Sequence, residues 1–332
     1  MERLKKNFVL ALTLGVAVYM VLAVASGLGD LKSALASFDY YLVPAIVGLV
    51  SLSYAVRFAR WVYYLRLLKV RVPVRKNVAI FAAGLSMTIS PGKLGEVLKS
   101  AFVKDVAGAP VARTAPAVVA ERATDGTGMI LWGLIGALAF SFGPSLLLLF
   151  LAGTALGIMV LRSERLSLLV ERLLSKLPLL NRVAPHVRDF HTSSNELLAF
   201  RPLLVASVIS FFAWGLELVA VYLCAVGLGV GQPFLVVAFV FALGSLVGGG
   251  SMLPGGIGVA EAGMTGMFAK LAGLSWSLSV ALTFVIRLVT LWFATLVGVV
   301  GLLVVRRVIG EPLAEPVAAA AAEAQARTSP EP

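Results

Sequence analysis

Apolar runs long enough to cross a lipid bilayer recur along this chain, and they exclude a water-soluble core as its organising principle. Residues 8–27, 41–65, 113–142, 145–161, 202–228 and 275–305 each read as a span. A run of roughly 18 or more apolar residues suffices to cross a hydrocarbon core about 30 Å thick. Composition agrees, with 59% hydrophobic and only 14% charged residues, where soluble domains carry about a quarter charged. The expected fold class is an all-α polytopic membrane protein with about six transmembrane helices.

The net charge of +11 would suggest nucleic acid in a soluble chain. Here the basic residues gather at the ends of apolar runs, which is the positive-inside bias instead, so no nucleic-acid partner is expected. Arg3, Lys5 and Lys6 place the N-terminus in the cytoplasm, Arg66, Lys69, Arg71, Arg75 and Lys76 make the next cytoplasmic loop, and Arg306 and Arg307 favour a cytoplasmic C-terminus. The expected location is a cell (inner) membrane. Between residues 162 and 201 the chain is polar and basic, with Leu166, Leu169, Leu173 and Leu177 at helical spacing. This linker reads as an amphipathic cytoplasmic helix on the membrane surface. A solvated linker helix is the alternative. Residues 311–332, rich in Ala, Pro and Glu, read as a disordered tail, leaving residues 1–310 as the membrane domain.

Two further apolar stretches, 77–90 and 233–250, stop at a Pro-Gly break. The first ends at Pro91-Gly92-Lys93-Leu94-Gly95-Glu96, the second at Pro254-Gly255-Gly256-Ile257-Gly258 with Glu261 close behind. Short apolar arms about such a break predict re-entrant hairpins, because irregular backbone at membrane depth must be satisfied by protein or by a wet cavity. The motif proline precedes a buried arginine, Arg122 or Arg287, by 31 residues in one half and 33 in the other. An internal repeat follows, about 41–142 and 202–305. The loop charges give the two halves opposite orientation, as in transporters built from inverted repeats.

Charged residues inside apolar runs are the candidate site, because charge at that depth is costly and marks partners or transport routes. They are Glu121, Arg122 and Asp125 in the third span, Glu217 in the fifth and Arg287 in the last. Lys93, Glu96 and Lys99 flank the first motif, and Glu261 follows the second. Arg57 and Arg60, near the cytoplasmic end of the second span, either join this set or snorkel to the interface. Free N–H groups at a half-helix start would attract an anion, such as a headgroup phosphate. The glycines Gly92, Gly95, Gly255, Gly256 and Gly258, with Pro91 and Pro254, either shape that backbone or only permit close packing. Buried pairs joining Glu96 or Glu121 to Arg122 are the structural alternative for the charges.

Nothing points to catalysis by a familiar route. Cys224 is the one cysteine, His186 and His191 sit in the polar linker, and no metal-ligand cluster, Walker loop or nucleophile motif is visible. No catalytic residue, metal or cofactor is expected.

At Ser90–Lys99, at Glu121-Arg122-Ala123-Thr124-Asp125-Gly126 and at Leu253–Glu261 the chain resembles the lysylphosphatidylglycerol synthase transmembrane region, a flippase-like integral membrane family. The resemblance spreads over about residues 8–307. It implies movement of an anionic, aminoacylated or polyprenyl-phosphate-linked lipid between leaflets. The larger synthases of the family carry a soluble aminoacyl-transfer domain after this region, whereas only a short tail follows Arg307 here, so aminoacyl-lipid synthesis by this chain alone is not expected. Two alternatives stay open: a membrane enzyme or lipid-presenting subunit acting on a polyprenyl-linked sugar, and a scaffold for a separate lipid synthase or glycosyltransferase. The implied partner is a membrane lipid, and the oligomeric state is left open.

Overall fold

The computed structural model describes residues 28–90, 95–137, 145–175 and 184–309, all helices and connecting turns. The expected first span at 8–27, the motif residues Pro91, Gly92 and Lys93, and the tail at 311–332 lie outside the described residues. A short helix α1 (Leu28–Ala36) leads to α2 (Val43–Leu67), α3 (Val74–Leu85), α4 (Leu98–Ala107) and α5 (Val111–Ala137). Then follow α6 (Ser145–Arg162), α7 (Glu164–Ser175), α8 (Ala184–Leu197), α9 (Phe200–Gly227), α10 (Phe234–Gly250), α11 (Val259–Lys270), α12 (Trp276–Arg287) and α13 (Phe293–Ile309). A π-helical turn, Leu288–Trp292, joins the last two into one long element.

Three described stretches are long and apolar enough to cross a membrane: Tyr40–Leu67, Phe200–Gly227 and Trp276–Ile309. The apolar α6 and the amphipathic α7, bent by 65° at their junction, make a fourth if counted together. With 27 residues α5 is also long enough, but it carries Glu121, Arg122 and Asp125 in mid-helix. The molecule is an all-helical membrane protein.

Only part of the linker keeps the amphipathic face expected of it. It is two helices, and only α7 keeps an exposed leucine face, at Leu166, Leu169 and Leu173. The second, α8, packs on α5 and buries Ser193, Ser194 and Leu197. The His191 ring lies 3.3 Å from the Arg162 carbonyl at the end of α6. Sequence spacing identified the amphipathic face of α7; it carried no sign that α8 meets α5.

The turns that end α2 and α9 are the same. Lys69 and Gly229 adopt left-handed backbone, φ 56° and 68°. The N–H of Val70 donates to the Leu65 carbonyl and that of Val230 to the Ala225 carbonyl, each at 2.9 Å. Lys69 and Gly229 themselves donate to Arg66 and Val226. This double closure satisfies carbonyls a helix end would otherwise leave orphaned. Pro73 and Pro233 then stand at the N-caps of α3 and α10.

Helix α2 packs along α9 in the opposite direction. The N–H of Asp39, just ahead of α2, donates to the carbonyl of Gly227 at the end of α9 (2.8 Å), and deeper in the pair Arg57 meets Glu217. The remaining long contacts cross between halves. Helix α13 lies on α3 and α10 lies on α5. Small residues permit both approaches. A Cβ on Gly298 would fall on the backbone of Leu85 and Ser86, and one on Gly136 would lie 2.9 Å from the Leu235 carbonyl.

Candidate functional site

The first half holds a connected set of buried ions. Gly95 donates its N–H to Ser90 Oγ (2.9 Å), which fixes the chain as it enters Glu96 and α4. Lys99, 2% exposed, bonds Glu121, sits 3.6 Å from Glu96 and lies over the Trp61 ring at 4.6 Å. Arg122 reaches Glu96 and Asp125, both at 3.1 Å. Arg60 bonds Asp125 at 2.7 Å and Thr124 at 3.1 Å, while Ser210 donates to the same Asp125 oxygen. Arg57 pairs with Glu217 and lies 4.0 Å above the Trp214 ring. Four cations thus face four carboxylates. Mutual neutralisation is what permits such ions to leave water, because a lone buried charge costs several kcal/mol or about that order.

The structure decides between alternatives that the sequence left open at two places. Arg60 does not snorkel: it is 1% exposed and spent on α5, and Arg57 likewise turns inward to α9. Glu121 pairs with Lys99 rather than Arg122, since adjacent helical residues point apart, and Arg122 takes Glu96 instead.

The second half repeats the pair and not the network. Arg287 follows Glu261 by 26 residues, the separation of Arg122 from Glu96. Its Nε donates to Glu261 Oε1 and its Nη2 to the Gly255 carbonyl, each at 2.7 Å. Glu261, fully buried, also accepts from the N–H of Gly258 (2.7 Å). The chain passes Pro254–Gly258 with Gly255, Gly256 and Gly258 all at positive φ. At Gly256 a side chain would also strike the Gly248 backbone at 2.9 Å. The N–H of Gly258, at the start of α11, is therefore taken by that helix's own carboxylate and is not free for an anion. The arginine carries the positive charge at this tip.

The tips meet. The 3-10 turn Ser86–Ile89 touches the turn Pro254–Gly256, and Ile89, Ile257 and Leu291 form a small apolar cluster of their own. Beside it lies a cavity of about 340 Å³. Thr88 and Ser90 line it from the first tip, Gly248–Gly250 and Gly255 from the second. Arg122 and Asp125 of α5, Glu217 of α9 and Arg287 of α12 supply its charges. A smaller cavity of about 60 Å³ adjoins it, and Arg122, Glu217, Thr88, Trp214 and Thr290 line both. Of the sequence-derived candidates, Arg57, Glu96, Lys99, Glu121, Arg122, Asp125, Glu217 and Arg287 border one cavity or both, whereas Glu261 acts behind Arg287. Tyr54, Trp214, Thr88 and Thr290 escaped the sequence reading. Aromatic and hydroxyl residues are unremarkable in a span, and nothing local marks the ones that reach a cavity.

An all-helical membrane protein with buried ion pairs around two broken, touching turns defines the class. The chain matches the lysylphosphatidylglycerol synthase TM region over residues 8–298 and belongs to that family. A UPF0104 membrane protein of Methanothermobacter thermautotrophicus is 26% identical over 327 residues, 90% of this chain and 93% of that protein. One of Pyrococcus horikoshii is 23% identical over 325 residues, 90% of this chain and 96% of the other. A further match to a UPF0104 membrane protein of the Methanothermobacter strain reaches 37% identity over 119 residues, 36% of this chain and 35% of that protein.

Proposed function

We propose that this protein carries a lipid with a phosphate-containing, charged headgroup between the leaflets of a cell membrane. The observation that carries the reading is the cavity of about 340 Å³ beside the contact of the turns Ser86–Ile89 and Pro254–Gly256, lined by two arginines and two carboxylates. A headgroup bearing both phosphate and amine matches that lining, and lipid tails would stay in the bilayer. The family's printed name, which joins a phospholipid to a membrane region, points the same way.

The proposal includes an inverted repeat with six spans and two re-entrant hairpins. The matching turns after α2 and α9, the shared 26-residue interval from glutamate to arginine and the reciprocal packing of α3 on α13 and α10 on α5 support the repeat. Equivalent helices α2 and α9 run antiparallel, which supports inversion. Broken helices that meet between inverted halves suit alternating access. The loop charges favour cytoplasmic termini. Transport is preferred to catalysis because the carboxylates at the cavity are engaged by Arg57, Arg60 and Arg122, a poor state for a general base.

Reconstituted proteoliposomes holding a trace of fluorescent-headgroup phospholipid test this. Wild type should expose the label to a membrane-impermeant quencher faster than protein-free vesicles, and Arg122→Ala should slow exposure at least about tenfold, a loss of about 1.4 kcal/mol in the barrier. Equal rates with and without protein would sink the proposal, and product formed from a supplied sugar donor would turn it toward an enzyme.

A further inference from the structure

Among the described residues seven buried side-chain polar atoms lack a hydrogen-bond partner, and five belong to residues lining the two cavities. Four of the five are donors: Tyr54 Oη, Arg60 Nε, Arg122 Nε and Trp214 Nε1. The fifth, Asp125 Oδ2, lies 3.1 Å from an Arg122 nitrogen, so its charge is met. The surplus is one of donors. Buried donors without acceptors are costly, and a native structure concentrates them only where something else supplies the acceptor. Tyr54 and Trp214 are 9% and 7% exposed, so bulk water does not reach them freely. Their rings are held elsewhere: Tyr54 stacks on Phe293, and Trp214 lies under Arg57.

The four residues that carry these donors all line the smaller cavity. Its walls carry four cations, Arg57, Arg60, Lys99 and Arg122, against three carboxylates, Glu96, Glu121 and Glu217. Each carboxylate is engaged by one of those cations, and Asp125, on the larger cavity, meets Arg60 and Arg122, so the charges balance and what this wall offers in surplus is hydrogen-bond donors. At about 60 Å³ it has room for more than one water-sized group.

We propose that the smaller cavity is an oxyanion subsite, in which Tyr54 Oη, Trp214 Nε1 and Arg122 Nε donate to oxygens of a phosphate group. Charge-assisted donation of this kind is the strong form of the hydrogen bond. Tyr54 and Trp214 are binding residues that set preference for phosphate over uncharged headgroups. The assignment rests on the transport reading only for the source of the phosphate, a lipid or a free ion.

The test uses the full chain, purified in detergent and stripped of lipid, with three probes measured by calorimetry. They are a short-chain phosphatidylglycerol, the corresponding phosphate-free diacylglycerol, and inorganic phosphate. Tyr54→Phe keeps the ring and deletes one donor, whereas Trp214→Phe deletes the other and also shrinks the indole to a phenyl ring. Wild type should bind the phospholipid and not the diacylglycerol, and each variant should bind it about five- to tenfold more weakly. Without ligand, Tyr54→Phe should not melt below wild type, because it has lost only an unmatched buried donor; a packing role for that hydroxyl would lower the melting temperature. Inorganic phosphate bound by wild type and weakened by both variants, with phospholipid not bound, would uphold the subsite and overturn the lipid as its source. Phospholipid bound equally by wild type and both variants would overturn the subsite, its donors then being met by water, and leave lipid transport standing. A folded wild type that binds none of the three would overturn both.

Discussion

The two halves hold the same glutamate and arginine at the same separation but surround them differently. In the first half Arg122 pairs with two carboxylates, and each of these has a second cation: Lys99 for Glu96, Arg60 for Asp125. In the second, Arg287 pairs with one carboxylate and spends its other hydrogen bond on the Gly255 carbonyl inside the motif turn. The first pair is one link of a chain in which partners can be exchanged without stranding a charge. The second clamps a backbone turn. The second pair fixes its tip, whereas the first leaves ion-pair partners that can exchange.

That contrast is easiest to break at its arginines. Arg287→Ala should cost about 3–5 kcal/mol, because it strips the guanidinium from a fully buried carboxylate and frees the turn. Arg122→Ala should cost only about 1–2 kcal/mol, since Glu96 and Asp125 keep Lys99 and Arg60. Unfolding in mixed micelles measures both, and equal losses would mean that the two pairs are alike.

The glycines that admit the crossing helices sharpen it further. Gly298→Ala places a methyl on the backbone of α3, which cannot move aside, and should cost about 1–3 kcal/mol. At the corresponding position Gly133→Ala meets the end of the Leu147 side chain at 2.8 Å, which can rotate, and should cost less than about 1 kcal/mol. Reversal of that order in thermal melts would show that the α3–α13 contact yields more readily than α5–α6.

The smallest effect concerns the matching turns. Lys69 occupies the left-handed conformation that Gly229 adopts freely. Lys69→Gly should therefore leave stability unchanged or raise it by up to about 1 kcal/mol, whereas Gly229→Ala, with open space around it, should lower it by about 1 kcal/mol through backbone strain alone. Shifts in the same direction at both positions would show that the turns differ in more than their residues.

Hydropathy and charge, both local properties, were enough to read the membrane class, the helices at 41–65, 202–228 and 275–305, the broken turn at Pro254–Gly258 and the identity of nearly all the buried ions. A run of apolar residues must be helical in lipid whatever surrounds it, and an arginine within such a run needs a partner whichever helix provides it. The partners themselves were not legible. That Glu121 takes Lys99, that Arg60 turns inward to Asp125, that Glu261 caps its own helix, and that Tyr54 and Trp214 leave donors at a cavity all depend on which faces meet. Those faces are brought together by contacts between halves, α2 on α9, α3 on α13 and α5 on α10, over separations that no local pattern records. The paired Pro-Gly motifs were visible at once in the chain; the meeting of the turn Ser86–Ile89 with the second motif at Ile89, Ile257 and Leu291, and the cavity beside it, exist only because those long-range packings close around them.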